Sequence, residues 1–175
     1  MSDASALPEV YLRPGEVFLA HEPTVIATIL GSCVGVTFWS ARLGVGALCH
    51  AILPRRPAQS PREPESTRES ARESAREPSP GHHYVDFCIR DLSRVFGTLG
   101  ALPQEIQVKL FGGADVLFVR NAESRPTVGR LNCETAIAVL REEGYDVAAA
   151  SLGDTFGRKI RFNTGSGDVL LRRLV

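Results

Sequence analysis

The sequence predicts a single α+β domain in which two main helices cover a mixed, largely antiparallel β-sheet system. An arrangement of two packed sheets is compatible with this prediction. Three observations carry this prediction. At 175 residues the chain is long enough for one domain with a sizeable core. The residues before position 55 form short apolar runs rich in β-forming side chains. The residues after position 83 alternate between helical and strand-like periodicity.

Five strands are predicted in the first part of the chain, at 10–12, 17–19, 25–30, 33–39 and 45–53. A turn-forming Arg-Pro-Gly stretch at 13–15 separates the first two. The last three runs are continuously apolar, which predicts strands buried on both faces. Gly31 and Ser32 interrupt the chain before the fourth strand, and residues 40–44 separate the fourth strand from the fifth.

The segment 55–81 has a different composition, because no large apolar side chain lies between Leu53 and His82. An Arg-Glu-Ser-Ala unit recurs within it, beginning at Arg68 and again at Arg72. Such a segment buries too little apolar surface to offset the entropy of ordering it. We therefore predict a disordered insertion without a catalytic role. It lies inside one domain that spans 9–175 and follows a flexible N-terminus of residues 1–8.

Helices and strands alternate after the insertion. Apolar residues recur at i, i+3 and i+4 over 84–99, which predicts an amphipathic helix that stops at Gly100. A second helix is predicted over 132–143, with Val128 as an alternative start and Gly144 as its stop. Strands are predicted at 106–111, 145–150, 159–162 and 169–172, and the glycine-rich turn 165–168 makes the last two a hairpin.

Charge and cysteine content exclude several classes of function. Twenty Lys and Arg balance 20 Asp and Glu, so a nucleic acid or an anionic membrane is not expected as the main partner. No apolar run approaches the roughly 18–20 residues that a membrane span needs, and residues 1–8 lack the pattern of a signal peptide. We therefore expect a cytoplasmic protein with four reduced cysteines. The chain has no CxxC pair, so no metal site is predicted.

Cys33 and His50 are the candidate catalytic residues that the pattern itself indicates. Cys33 follows a Gly-Ser turn, where small residues let backbone approach a substrate and backbone N–H groups can stabilise an oxyanion. His50 lies in an apolar run, where histidine has no packing advantage. The 17 residues between them suit adjacent antiparallel strands joined by the turn 40–44. A thiol beside a histidine is the minimum equipment of a cysteine nucleophile.

Cys33 and His50 also have interpretations as structural residues. A lone cysteine in an apolar run is commonly a small core residue, and a lone histidine is commonly hydrogen-bonded within the core. Cys49 is predicted to be a core thiol, because neighbours on a strand point to opposite faces. Cys88 and Cys133 are predicted on the apolar faces of the helices, and His82 and His83 as solvated loop residues.

Several motifs together resemble the CheD family of chemoreceptor glutamine deamidases. They cover nearly the whole chain outside the first residues and the insertion. The motifs are Leu-Gly-Ser-Cys-Val at 30–34, the stretch 46–50 with Leu-Pro at 53–54, Lys-Leu-Phe-Gly-Gly-Ala at 109–114, Gly-Arg-Leu-Asn at 129–132, Gly-Arg-Lys-Ile-Arg-Phe at 157–162 and Thr-Gly at 164–165.

The resemblance implies a protein-glutamine glutaminase that needs no cofactor. Cys33 matches the family nucleophile and His50 its general base. Many members carry their threonine six positions before the cysteine, where this chain has Ala27. Others share the Thr-x-Leu-Gly-Ser-Cys form found here, so Thr28 is the candidate third member. The implied reaction converts receptor glutamines to glutamates through a thioester. The implied partners are the cytoplasmic helical domain of a chemoreceptor and a phosphatase of the CheC type.

Three other functions remain open on the residues alone. A related cysteine hydrolase, such as a thioesterase or methylesterase, would use the same Cys33–His50 pair. A non-catalytic adaptor would bind receptors or a phosphatase and keep Cys33 as a core residue. A metal-binding protein would use His82, His83 and a cysteine.

Overall fold

A computed structural model describes residues 6–57, 79–115 and 126–174. Within these residues nine strands and two α-helices form one α+β domain, as the sequence predicts. The strands are β1 (Glu9–Tyr11), β2 (Val17–Ala20), β3 (Val25–Leu30), β4 (Val34–Ser40), β5 (Val45–Ala51), β6 (Gln107–Gly112), β7 (Val147–Leu152), β8 (Gly157–Asn163) and β9 (Val169–Leu174). The α-helices are α1 (Val85–Thr98) and α2 (Val128–Glu142), and Pro80–His83 and Pro103–Glu105 form short 3-10 helices.

The strands form two sheets. The four-stranded sheet has the order β1-β3-β8-β9, and the five-stranded sheet has the order β2-β5-β4-β6-β7. Most neighbours are antiparallel, which confirms the prediction, and the β1–β3 and β6–β7 pairs are parallel. The β6–β7 pair requires a crossover connection, and α2 lies within it.

Two apolar cores lie between the layers of the fold. Val34, Val36 and Phe38 of β4 pack with buried residues of α1 and α2, so the helices cover one face of the five-stranded sheet. Leu48 of β5 belongs instead to the second core, which also holds Ile160 of β8 and therefore lies between the sheets. Because side chains alternate along a strand, the residues two positions from Leu48 also face the space between the sheets.

The helix and hairpin predictions agree with the structure. The earlier of the two starts considered for α2 is the observed one, because the Thr127 hydroxyl caps the helix by accepting from the Arg130 N–H at 3.2 Å. The predicted hairpin is the antiparallel β8–β9 pair. Its turn contains Gly167 at φ +77°, and the ring of Trp39 occupies the space where a side chain would project.

Two predictions about burial are wrong. Strand β3 is not buried on both faces along its whole length: Ile29 is 44% exposed, although Ala27, two residues earlier, is buried. His82 is not a solvated loop residue. It is buried in the 3-10 helix Pro80–His83, and its Nε2 lies 3.1 Å from Asp91 Oδ2. His83 is exposed, as predicted.

Parts of the predicted domain organisation lie outside the described residues. These are residues 58–78 of the predicted insertion and residues 1–5 of the predicted N-terminal tail. Where the chain is described, no helix combines the length and the apolar character that crossing a bilayer requires.

Candidate active site

The turn that carries Cys33 joins β3 to β4, and neighbouring groups hold each of its three carbonyls. The Gly31 carbonyl accepts from the Ala114 N–H at 2.8 Å, and the Cys33 carbonyl accepts from the Gly113 N–H at 2.8 Å. The carbonyl between them, that of Ser32, accepts from the side-chain amide of Asn132 at 2.9 Å. The peptide planes of the turn are therefore fixed by the loop after β6 and by helix α2.

Gly112 and Gly113 are required for this approach. Gly112 has φ +106° and Gly113 has φ +66°, both in the region that favours glycine. A Cβ atom on Gly112 would overlap the Cys33 carbonyl oxygen, and one on Gly113 would overlap the sulfur of Cys133. Any side chain at either position would push the loop away from the turn.

The sheet register brings Cys33 and His50 onto one face. Gly35 of β4 lies directly opposite His50 of β5, and Cys33 lies two residues before Gly35. Residues two apart share a face, so Cys33 and His50 both face the space between the sheets. Cys33 packs against the core between the sheets, to which Leu48 of β5 also belongs. Because Gly35 has no side chain, none projects from the position opposite His50.

Thr28 contacts His50 directly. Its Oγ1 lies 2.8 Å from His50 Nδ1 and donates to the Leu12 carbonyl at 2.7 Å. A hydroxyl has one proton, which here is directed at Leu12. His50 Nδ1 must therefore be the protonated nitrogen that donates to Thr28. In a neutral ring this leaves Nε2 with a free lone pair, which is the form of a general base.

Burial keeps His50 neutral. The residue is 2% exposed, and its Nε2 has no hydrogen-bond partner among the described residues. Desolvation lowers the pKa of His50 from 6.5 to about 4, although the nearby charge of Glu16 acts in the opposite direction. At neutral pH the ring is an uncharged base.

Cys33 is a neutral thiol in the same environment. It is partly buried, and desolvation raises its pKa above 9.0, partly offset by a hydrogen bond with its own backbone N–H. The thiol of Cys33 and the imidazole of His50 are therefore both uncharged at neutral pH.

The other three cysteines differ in environment. Cys49 and Cys88 are fully buried in the core beneath the helices, which confirms that Cys49 is a core thiol and that Cys88 lies on the apolar face of α1. Cys133 is partly buried on α2 beside Gly113, and desolvation raises its pKa. Over the three described segments, no cluster of three or more His, Cys, Asp or Glu side chains is arranged to hold a metal ion.

Sequence reasoning missed two buried polar residues beside the turn. Arg158 on β8 donates to Ser151 Oγ at 2.9 Å and to the Gly153 carbonyl at 2.8 Å, and its side chain is 1% exposed. The Gly153 N–H in turn donates to the Gly112 carbonyl at 2.9 Å. Asn132 is fully buried on α2. Both residues lie in motifs that carry the family resemblance, at 129–132 and 157–162, but neither motif was assigned a role in the site.

Known proteins of one family are similar to this chain over most of its length. A family model described as CheD chemotactic sensory transduction matches residues 64–173. The chain is 43% identical to a probable chemoreceptor glutamine deamidase CheD 2 of Geobacter sulfurreducens, over 96% of this chain and 91% of the relative. It is 34% identical to a probable chemoreceptor glutamine deamidase CheD of Maridesulfovibrio salexigens, over 97% of this chain and 94% of the relative. The chain therefore belongs to the CheD family, as the sequence motifs predict.

Proposed function

We propose that this protein hydrolyses the side-chain amide of chemoreceptor glutamines, producing glutamate and ammonia. Two of its relatives in the CheD family are named probable chemoreceptor glutamine deamidases. The observation that supports this chemistry most directly is the Leu12–Thr28–His50 chain of hydrogen bonds, which leaves the Nε2 lone pair of a neutral imidazole free. Such a base, on the same sheet face as a thiol, suits nucleophilic attack on an amide carbon.

In the first half of the reaction, the Cys33 sulfur attacks the carbonyl carbon of the glutamine side chain. His50 Nε2 accepts the thiol proton as the bond between sulfur and carbon forms, because both groups are neutral at rest. The carbonyl oxygen becomes an oxyanion, and backbone N–H groups of the turn 31–33 stabilise it. His50 then returns the proton to the amide nitrogen, and the carbon–nitrogen bond breaks to release ammonia.

In the second half, water hydrolyses the resulting thioester. His50 Nε2 removes a proton from the water as its oxygen attacks the thioester carbon, and a second oxyanion forms at the same position. The carbon–sulfur bond breaks, the sulfur recovers its proton from His50, and the product is glutamate. Thr28 holds the ring orientation throughout, which is the function of the third member of a catalytic triad. Each turnover adds one negative charge to the receptor.

Intact-mass analysis of a receptor cytoplasmic fragment tests this proposal. Incubation with the wild-type protein is expected to convert amide to acid, with release of ammonia, and peptide mapping would identify the glutamines. Cys33→Ala is expected to abolish both signals while receptor binding persists. Cys133→Ala is the matched control, since it removes the other partly buried thiol. Undiminished ammonia release by Cys33→Ala would refute the mechanism.

The products also separate the remaining alternatives. A methylesterase or thioesterase would release methanol or a thiol in place of ammonia. An adaptor would bind the fragment without changing its mass.

We further propose a cytoplasmic location and two partners, the helical domain of a chemoreceptor and a phosphatase of the CheC type. The two partners follow from the family resemblance. Co-elution of this protein with a purified CheC-type phosphatase in size-exclusion chromatography would support the second partner, and separate elution at micromolar concentrations would contradict it.

A further inference from the structure

We infer that Asn132 is a positioning residue that aims the Cys33 backbone N–H at the oxyanion formed when Cys33 attacks a carbonyl carbon. The reaction in question rests on the proposed function, but the test below needs no glutamine substrate.

Asn132 uses both protons of its amide nitrogen. Its Nδ2 donates to the Ser32 carbonyl and to the Ile52 carbonyl, each at 2.9 Å. Ser32 directly precedes Cys33, and Ile52 lies two residues after His50. One side chain therefore connects the turn that carries the thiol to the strand that carries the imidazole.

A close approach of α2 makes these bonds possible. A Cβ atom on Gly129 would lie 2.7 Å from the Gly113 carbonyl oxygen and 2.8 Å from that of Ala114. Glycine at this point lets the first turns of the helix lie against the loop after β6. Asn132, one turn later on the buried face of α2, then reaches the two carbonyls.

Peptide planarity converts this contact into an orientation. In a trans peptide the carbonyl of one residue and the N–H of the next point in opposite directions. By holding the Ser32 carbonyl, Asn132 directs the Cys33 N–H to the opposite side of the turn. The Gly31 and Cys33 carbonyls are held by backbone N–H groups, so among the described bonds the orientation of this one peptide depends on a side chain.

One further observation supports a role beyond packing. Asn132 Oδ1 is buried and has no hydrogen-bond partner among the described residues. A residue selected for stability alone would avoid such an unpaired acceptor, since each costs free energy when it is removed from water.

Two reagents that modify Cys33 distinguish a loss of the Cys33 N–H orientation from a general disruption of the site. p-Nitrophenyl acetate acylates the thiol: the sulfur–carbon bond forms through an oxyanion, p-nitrophenolate leaves with its electron pair, and the thiol proton goes to His50. Iodoacetamide alkylates the same sulfur by displacing iodide, and no oxyanion forms. The ratio of the two rates at Cys33, measured by peptide mass spectrometry, therefore reports the oxyanion contact independently of thiol reactivity.

Asn132→Asp preserves the shape of the side chain and removes the two donors. We expect acylation of Cys33 to fall about 10- to 100-fold while alkylation stays within about twofold. Asn132→Ser, which is smaller and retains one donor, is the second variant if the aspartate does not fold, and it should show an intermediate loss of acylation. Thr135→Val is the matched control, because Thr135 is also a buried polar residue on α2. It should leave the ratio unchanged.

Equal loss of both rates in folded Asn132→Asp and Asn132→Ser would show a purely structural residue and overturn the proposal, as would unchanged acylation. The Asn132 variants could show the expected change in the ratio of acylation to alkylation while the wild-type protein fails to deamidate a receptor fragment. This result would refute the proposed function and leave the role of Asn132 intact.

Discussion

Replacing Thr28 with valine would test the proposed role of His50 as a general base. Valine has nearly the shape of threonine and lacks the hydroxyl. The substitution removes the acceptor of the His50 Nδ1 proton and the donor to the Leu12 carbonyl, two bonds of 2.8 and 2.7 Å in a fully buried position. Without them nothing favours the tautomer that is protonated on Nδ1.

The magnitude follows from the burial of the ring. A buried polar group that loses its partner destabilises its state by about 1–3 kcal/mol. That penalty now falls on the catalytic tautomer, and each 1.4 kcal/mol changes a rate by about tenfold. We therefore expect Thr28→Val to lower the deamidation rate constant by about 10- to 100-fold. KM should change little, because Thr28 is fully buried and does not contact a substrate.

Two measurements check this expectation. Deamidation of a receptor fragment gives kcat and KM, and the ¹⁵N shifts of the His50 ring give the tautomer. Thr28→Ser keeps the hydroxyl and should stay within about threefold of wild type. The reasoning fails if Thr28→Val retains full kcat, or if wild-type His50 carries its proton on Nε2.

Two further predictions concern stability. Because the pKa of His50 is lowered to about 4, the unfolded chain binds a proton at higher pH than the folded chain does. The neutral ring therefore contributes fully to the free energy of unfolding above pH 6.5, and this contribution of about 3 kcal/mol is lost as the pH falls toward 4. Urea unfolding at several pH values would show that the difference in free energy of unfolding between wild type and His50→Gln varies over this range. A difference that stays constant with pH would contradict the prediction. Gly112→Ala should lower the free energy of unfolding by at least about 2 kcal/mol, because its Cβ would overlap the Cys33 carbonyl. Gly97→Ala, in α1 with no atom within 4 Å of the new Cβ, should instead raise it by up to about 1 kcal/mol; equal effects of the two glycine substitutions would contradict the account of the turn.

The local pattern of apolar residues predicted the elements well, because α1 and β8 bury one face while β4 and β5 are buried on both. The stripe of apolar residues over 84–99 became α1, and the 17-residue spacing of Cys33 and His50 became the β4–β5 pair. Burial within β3 does not follow a strict period of two, because Ala27 is buried as well as Ile26 and Thr28, and only Ile29 is exposed. The contact with His50 shows instead the inward direction of Thr28. The sequence could not show that the Leu12 carbonyl would lie beside it, because β1 pairs with β3 across 16 residues of chain.

The remaining parts of the site depend on how layers pack. Asn132 lies 100 residues after the carbonyl of Ser32 that it binds, and its contact exists only because Gly129 lets α2 approach the loop after β6. Arg158 is similar, since its partners lie in β7 and in the loop directly after it, whose position depends on the β6–β7 pairing. No local pattern encodes such distances. His82 was misassigned for the same reason, because Asp91 on α1 supplies its partner.

The uncharged state of Cys33 has a consequence for oxidative damage. Peroxides oxidise thiolates, and the thiol form is far less reactive. Since burial raises the pKa of Cys33, little thiolate is present at neutral pH in the absence of a substrate. A cysteine in this state resists conversion to sulfenic acid without a separate protective device. In the proposed reaction, the same burial that delays proton transfer until a carbonyl arrives would therefore also protect the sulfur between turnovers.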